Sequence, residues 1–164
     1  MADAWHLSVA DCDVTLASSQ YAPFLRDLFM QVQRQAMGSL PLPEPALLQM
    51  LEQQHNAQVQ EYKRAFPLAV NMILLKDGQP VGRLYVDFSS DPVHMIDFAI
   101  VPSMQSKGIG SNVLQSLCEA AQNRSVRLSL KVLSGQRAEK LYARFGFEVT
   151  DRNVPFASMV WSGS

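Results

Sequence analysis
Cysteine is scarce in this chain of 164 residues, which carries only Cys12 and Cys118. Two thiols cannot lay out a disulfide framework, and neither has His, Asp or Glu partners at ligand spacing, so no metal site is expected. Cys118 falls on a helical pattern and reads as a small apolar packing residue. No run of about 18 apolar residues occurs, and the opening Met-Ala-Asp-Ala-Trp lacks a cationic start. Neither membrane insertion nor export is expected, which leaves the cytoplasm as the setting. Charge excess is also missing: 14 Lys and Arg face 15 Asp and Glu, a formal net charge of -1. That balance gives no electrostatic footprint for nucleic acid or an anionic membrane. There is no acidic run to attract a polycation. The partners that remain are small molecules or a protein surface.

What is present is an ordinary globular composition, 48% hydrophobic and 18% charged. Residues 1–164 read as a single domain, a length that buries about 68–70% of the unfolded surface. Residues 1–13 are an edge strand or an arm, and residues 162–164 a flexible tail. Helical periodicity predicts helices over residues 21–35, 46–66, 109–122 and 136–144, and apolar runs predict strands over 14–16, 68–75, 81–88, 93–101, 126–132, 147–150 and 157–161. The stretch 38–45 is a proline-rich linker. Asp77-Gly78-Gln79-Pro80 is a turn that joins two strands as an antiparallel hairpin. Strands that pair antiparallel first and cross over through helices later predict a mixed α/β sheet with helices on both faces.

From Gln105 to Gly110 the chain reads Gln-Ser-Lys-Gly-Ile-Gly, between an apolar run and the helical pattern Val113, Leu114, Leu117. A turn of small residues from strand to helix exposes backbone N–H groups, and the helix N-terminus adds about half a positive charge. Such a turn suits a pyrophosphate. The dinucleotide fingerprint would need a third Gly or Ala where Val113 stands and an acidic residue about 20 positions on. The phosphate-loop pattern Gly-x4-Gly-Lys-Ser/Thr is absent too. What fits is Gln/Arg-x-x-Gly-x-Gly/Ala.

Together with a second block, Leu141-Tyr142-Ala143-Arg144-Phe145-Gly146-Phe147, this loop resembles the GNAT superfamily of N-acetyltransferases over roughly residues 14–161. The resemblance implies a mixed, mostly antiparallel central sheet whose splayed strands leave a slot for pantetheine. It implies acetyl-CoA as the acyl donor, no metal, and a small-molecule or peptide amine as acceptor; a homodimer is compatible with it. Cofactor binding then falls to the backbone of Phe98, Ala99 and Ile100 and to Gln105, Ser106, Lys107, Gly108, Ile109, Gly110 and Ser111. Gly108 and Gly110 are expected to allow close approach and positive φ, and Lys107 and Ser111 to contact phosphate. One position departs from the family. Many relatives carry Asn for the pantetheine where this chain has Gly135, so Gln136 or Arg137 is expected to compensate.

The resemblance gives catalytic roles to two residues. Strict alternation along residues 93–101 would set Met95, Asp97, Ala99 and Val101 on one face and His94, Ile96, Phe98 and Ile100 on the other. Asp97 then interrupts an apolar face, either as a proton acceptor or amine anchor or as a plain surface carboxylate. Tyr142 matches the general acid for the leaving thiolate, with core packing as its other reading. Reference pKa values of about 10 for Tyr and about 8.5 for a thiol make that transfer uphill by only about 2 kcal/mol. His55 and His94 are further candidates for the base, or packing residues. The leading expectation is an acetyltransferase acting by direct attack of an amine; the rival is a non-catalytic acyl-CoA-binding or regulatory module.

Overall fold
The computed structural model describes residues 5–163, so residues 1–4 of the expected arm and Ser164 of the expected tail lie outside the described residues. Seven strands form one sheet: β1 (Asp13–Leu16), β2 (Val70–Lys76), β3 (Gln79–Asp87), β4 (Val93–Ile100), β5 (Leu128–Leu133), β6 (Glu148–Asn153) and β7 (Phe156–Trp161). Their order is β1-β2-β3-β4-β5-β7-β6. All neighbours pair antiparallel except β4 and β5. The helices are α1 (Ala22–Met37), α2 (Glu44–Ala65), α3 (Ile109–Arg124) and α4 (Arg137–Arg144). None of them is long and apolar enough to cross a membrane.

Local chemistry accounts for the element ends. Pro23 and Pro45 sit in the first turns of α1 and α2, where a missing N–H costs no intrahelical bond. For that reason α2 starts at Glu44, two residues before the expected boundary. In the β2–β3 hairpin Asp77 and Gly78 take φ of +51° and +79°, which is the tight turn that matches strand twist. Gln79 and Pro80 already pair with Lys76 and Leu75, so the turn is two residues long rather than four.

The sheet has two differently built faces. Val70, Met72, Leu74, Leu84 and Val86 join Ile109, Val113, Leu114 and Leu117 of α3 in the main core, which also takes in Tyr142 of α4. The alternate residues Asn71, Arg83 and Tyr85 face α1 and α2 and border a cavity there. Residues 5–12 are neither an edge strand nor a loose arm. Trp5 packs on Phe88 with ring centroids 4.7 Å apart, the Arg124 guanidinium lies 4.7 Å from the Trp5 ring, and Val9 is buried in the core. Burial of these apolar side chains holds the segment, which makes a single bridge, Val9 to Cys12.

Two irregularities in β4 create the site. Its parallel pairing with β5 covers only Val93–Met95 against Leu128–Leu130. Beyond that, β4 continues along β3 to Ile100 while β5 continues along β7 to Leu133. The strands part, and a slot opens between them. The second irregularity is a bulge: Tyr85 pairs with Asp97 but Val86 with Met95, leaving Ile96 extra. A bulge reverses the alternation of side chains beyond it. Met95 therefore belongs to the main core while Asp97 and Ala99 face α1, and Phe98 returns to the core side. The expectation that Met95 shares a face with Asp97 is corrected by that one residue.

Candidate active site
The loop after β4 is fastened from three sides. Gln105 donates its amide to the Ile100 carbonyl at 3.0 Å and exchanges hydrogen bonds with the Gln35 amide of α1 at 2.9 and 3.1 Å. Arg137, at the start of α4, donates to the Ser106 hydroxyl. Gly108 caps α3 with φ of +86°, and a Cβ there would meet nothing within 4 Å. Its left-handed backbone calls for glycine, and the space above it is open. Ser106, Lys107 and Gly108 are exposed, and their amides meet no backbone carbonyl among the described residues. With the unspent amides of the first turn of α3 they form a concave row of donors at a helix N-terminus.

Gly110 differs from its expected role. It has ordinary helical backbone, and its Cβ position lies 3.4 Å from Leu141 Cδ2 and 3.9 Å from Phe98 Cζ. What it provides is close contact among α3, α4 and β4. The side chain of Ile109 is buried in the core, so only its backbone is available to a ligand. Ser111 is half-buried in the first turn of α3, and Lys107 stands out in solvent. At the Gly135 position the backbone N–H donates to Glu139 Oε2 at 2.6 Å, and Glu139 in turn accepts from Arg152 at 2.7 Å. Gln136 is exposed at the start of α4. Arg137 reaches the loop, whereas Gln136 makes no hydrogen bond to it among the described residues.

Backbone direction decides which amides of β4 enter the slot. Val101 N–H bonds Val81 O at 2.9 Å, and in an antiparallel pair alternate residues point their N–H and C=O away from the partner. Phe98 and Ile100 therefore direct their amides towards the slot, whereas Ala99 faces β3. Both Phe98 and Ile100 are donors on the slot side of β4.

Asp97 and Tyr142 approach this slot from opposite faces of the sheet. Tyr142 is buried, 6% exposed, with its ring 5.7 Å from that of Phe147. The turn after α4 fixes it, because Phe145 and Phe147 N–H both return to the Tyr142 carbonyl, at 3.0 and 3.1 Å. Burial, and then the charge of Asp97, hold its hydroxyl well above the usual tyrosine range. It keeps its proton at neutral pH, and it lies within electrostatic reach of Asp97. The Asp97 side chain is 30% exposed and accepts from Arg83 Nη1 at 3.3 Å. Burial raises its pKa, partly opposed by the Arg83 charge and by the Phe98 N–H.

Four residues that the sequence reading did not single out surround Asp97. Arg83, only 6% exposed, also donates from Nε to Asn71 Oδ1 at 3.0 Å. Its guanidinium lies 4.6 Å from the ring of Tyr85 and 5.8 Å from that of Tyr62. Burial, with Asp97 next, pushes the Tyr62 hydroxyl up to about 12. The available signal was Arg83 itself, a lone cation inside the apolar run Val81 to Phe88. His55 lies on the wall of the same cavity, its ring 5.1 Å from Phe29 and its Nδ1 buried without a partner among the described residues. Burial, Arg83 and Arg26 lower its pKa, so it is neutral. His94 is turned elsewhere, stacked on Phe66 and bonded through Nδ1 to Ser129 Oγ at 2.9 Å. Cys118 packs in the core, where burial pushes its thiol up to about 12. Among the described residues no group of three His, Cys, Asp or Glu could hold a metal ion.

Comparison with known proteins agrees with this layout. The family model "Acetyltransferase (GNAT) domain" matches residues 42–161. A comparison with curated protein sequences found no significant match. Among solved structures, the PaiA N-acetyltransferase of Thermoplasma acidophilum in complex with coenzyme A superposes with a TM-score of 0.72 at 11% identity, over 92% of this chain and 98% of that one. An acetyltransferase of Thermus thermophilus gives 0.64 at 19% identity, over 93% and 97%. The ribosomal-protein-S18-alanine N-acetyltransferase of Escherichia coli gives 0.62 at 16% identity, over 91% and 90%. At these identities the superpositions establish the fold, and the family model covers well over half of the sequence. A splayed β4–β5 pair, a donor-lined loop into α3 and a matching family model together make this chain a member of the GNAT acetyltransferase family.

Proposed function
We propose that this chain, as one domain, moves the acetyl group of acetyl-CoA to a primary amine by direct attack while both are bound. The observation that carries the reading is the convergence on one slot of the loop donors, the free edge of β4, Tyr142 and Asp97. The residues present suit the cofactor: an open backbone cradle with Gly108 for the pyrophosphate, and the gap beyond Met95 and Leu130 for an extended arm. A neighbour of the same fold was solved in complex with coenzyme A, which supports the choice of cofactor.

Acetyl-CoA supplies an activated thioester. The protein's part is positional and electrostatic. Amides from Ser106 to Ser111 hold the pyrophosphate, and Lys107 adds a mobile charge. The Ile100 N–H donates to the thioester carbonyl oxygen as negative charge gathers there. Asp97, whose raised pKa makes it a better base than an ordinary carboxylate, accepts a proton from the attacking nitrogen, directly or through water. Tyr142 hydrogen-bonds the departing sulfur and gives it its proton, a transfer that the raised pKa of the buried phenol makes more uphill than the reference values alone. Holding amine and thioester together provides much of the rate. The scarce cysteine and balanced charge fit a cytoplasmic setting.

The test is a panel of primary amines, amino acids and peptides incubated with acetyl-CoA, with thiol release as readout and mass spectrometry of the product. An N-acetylated product with stoichiometric thiol is expected. Tight CoA binding with no acyl transfer to any amine would instead favour a binding module.

A further inference from the structure
The face of the sheet under α1 and α2 holds a cavity of about 390 Å³, and a smaller hollow of about 60 Å³ adjoins it. Arg83 and Leu25 line both, and Asp97 lines the smaller one. The larger cavity is within the range of small-molecule sites. Its charged lining consists of two cations, Arg83 and Lys63, with no carboxylate. The remaining walls include Leu25, Val59, Tyr62 and Tyr85, which are apolar or aromatic.

Arg83 is the unusual member. A buried guanidinium is costly unless its donors are matched. Of its five N–H groups, one from Nε goes to Asn71 and one from Nη1 to Asp97, and the others have no hydrogen-bond acceptor among the described residues. Asn71, Asp97 and the two tyrosine rings fix the plane of the fork, so its unspent edge is already oriented. His55 borders the same cavity, and its Nδ1 is buried without a partner among the described residues. A planar fork of this kind suits an oxyanion in bidentate geometry.

Resting on the acetyl-transfer reading above, we propose that the acceptor is a small amine that itself carries an anionic group close to the nitrogen, as an α-amino acid does, with the anion on Arg83 and Lys63 and the amine beside Asp97. Arg83 contacts Asp97 directly, so the two charges of the ligand must be only a few bonds apart. The apolar and aromatic walls accommodate the rest of the molecule. Polyamines and other multiply cationic acceptors are disfavoured, because two cations already line the space.

The experiment has two arms that use the full chain. In the first, kcat/KM is measured for amino acids, for aminoalkylphosphonates and for the matching decarboxylated amines, such as phenylalanine against phenethylamine. An anion preference of about 10²-fold or more is expected, since a site built to bond a group rejects the analogue that lacks it; the carboxylate and phosphonate series tell which anion is used. Arg83→Lys, which keeps the charge and loses the fork, should cut that preference about tenfold or more. The exposed Lys63→Glu should lower it several-fold, and it serves if Arg83→Lys fails to fold by circular dichroism. In the second arm, N-acetyl-phenylalanine and N-acetyl-phenethylamine are titrated by NMR, which needs no turnover. Binding of the carboxylate probe alone, weakened in the Lys63→Glu and Arg83→Lys variants, supports the anion site even if no amine is acetylated, in which case the acetyl-transfer reading falls instead. Equal or better turnover of uncharged amines or polyamines, or binding of both probes alike, overturns the proposal and leaves acetyl transfer standing. If neither probe binds and no amine is turned over, both readings fall.

Discussion

The two faces of this sheet make their sites in opposite ways. On the side of α3 and α4, the region proposed to face the cofactor is made of backbone: amides of a short loop, the free edge of β4 and a glycine with φ of +86°. On the side of α1 and α2, the region proposed to face the acceptor is made of side chains drawn from β2, β3, β4 and α2, with Arg83 at their centre. Backbone recognition tolerates sequence change nearly everywhere except at the positions that set its path. Side-chain recognition depends on residues that only the sheet brings together. The first kind leaves a motif in the sequence, while the second leaves scattered single letters.

The largest expected effect falls on Tyr142, the residue that joins the two regions. Tyr142→Phe keeps the ring against Phe147 and removes the proposed proton donor, so turnover should drop by about 10²–10⁴. Affinity for CoA, measured by titration calorimetry, should stay near that of the parent, because the contacts proposed for the cofactor are backbone amides. Undiminished thiol release would reduce Tyr142 to a packing residue.

Next comes Gly82, where the two faces share a wall. A Cβ there would sit 2.6 Å from the Ala99 carbonyl oxygen and 2.7 Å from Ile100 Cδ1. Gly82→Ala must push β3 away from the stretch of β4 that borders the slot, and a clash with backbone cannot be relieved by rotating a side chain. A loss of about 1–3 kcal/mol is expected, the scale of overpacking, read as a lower midpoint in urea unfolding. An unchanged midpoint would mean that the strands can separate freely at this point.

Gly110→Asp sharpens the comparison from the cofactor side. Its Cβ has just enough room beside Leu141 and Phe98, so circular dichroism first checks that the variant folds, while a carboxylate in the first turn of α3 opposes a bound pyrophosphate. About tenfold weaker CoA binding is expected, on the scale of a charge at a helix terminus in a partly buried setting. Equal affinity in parent and variant would remove the loop from the cofactor site.

The smallest effect is a pH dependence set by two histidines, His55 and His94. Burial lowers the pKa of both His55 and His94. The unfolded chain takes up protons at these positions below about pH 6.5, before the folded protein does. The unfolded state therefore binds more protons in that window, and stability should fall as pH drops through it to the depressed folded values. Melting temperature against pH checks the sign. His55→Leu should flatten part of the slope; a slope equal to the parent's would assign it to other groups.

The comparison also explains what could be read in advance. Helices and strands were legible because apolar periodicity changes cleanly from one to the other, and the errors lie where one residue alters a local path. Pro45 starts α2 rather than delaying it, and Trp5 and Val9 are held by burial without strand pairing. Gly110 was legible as a glycine that matters, yet close packing against Leu141 and Phe98, rather than positive φ, is what it provides. Asp97 was legible as a charge in an apolar run. Its partner Arg83 was equally visible as a letter, but nothing local connects positions 83 and 97.

The sequence by itself determined the order of elements, the donor-lined loop and the family, because each depends on residues within a few positions of one another. Tertiary structure decided the rest. The extra residue at Ile96 turned Asp97 from the main core to the face under α1 and α2, and the parting of β4 from β5 after three paired residues opened the slot. Strand pairing then set Asn71, Tyr85 and Asp97 in one row, and the Arg83 side chain, two residues along β3, reaches both Asn71 and Asp97. Register is a property of two chain segments together, so a buried charge network built on it exists only once the sheet has formed.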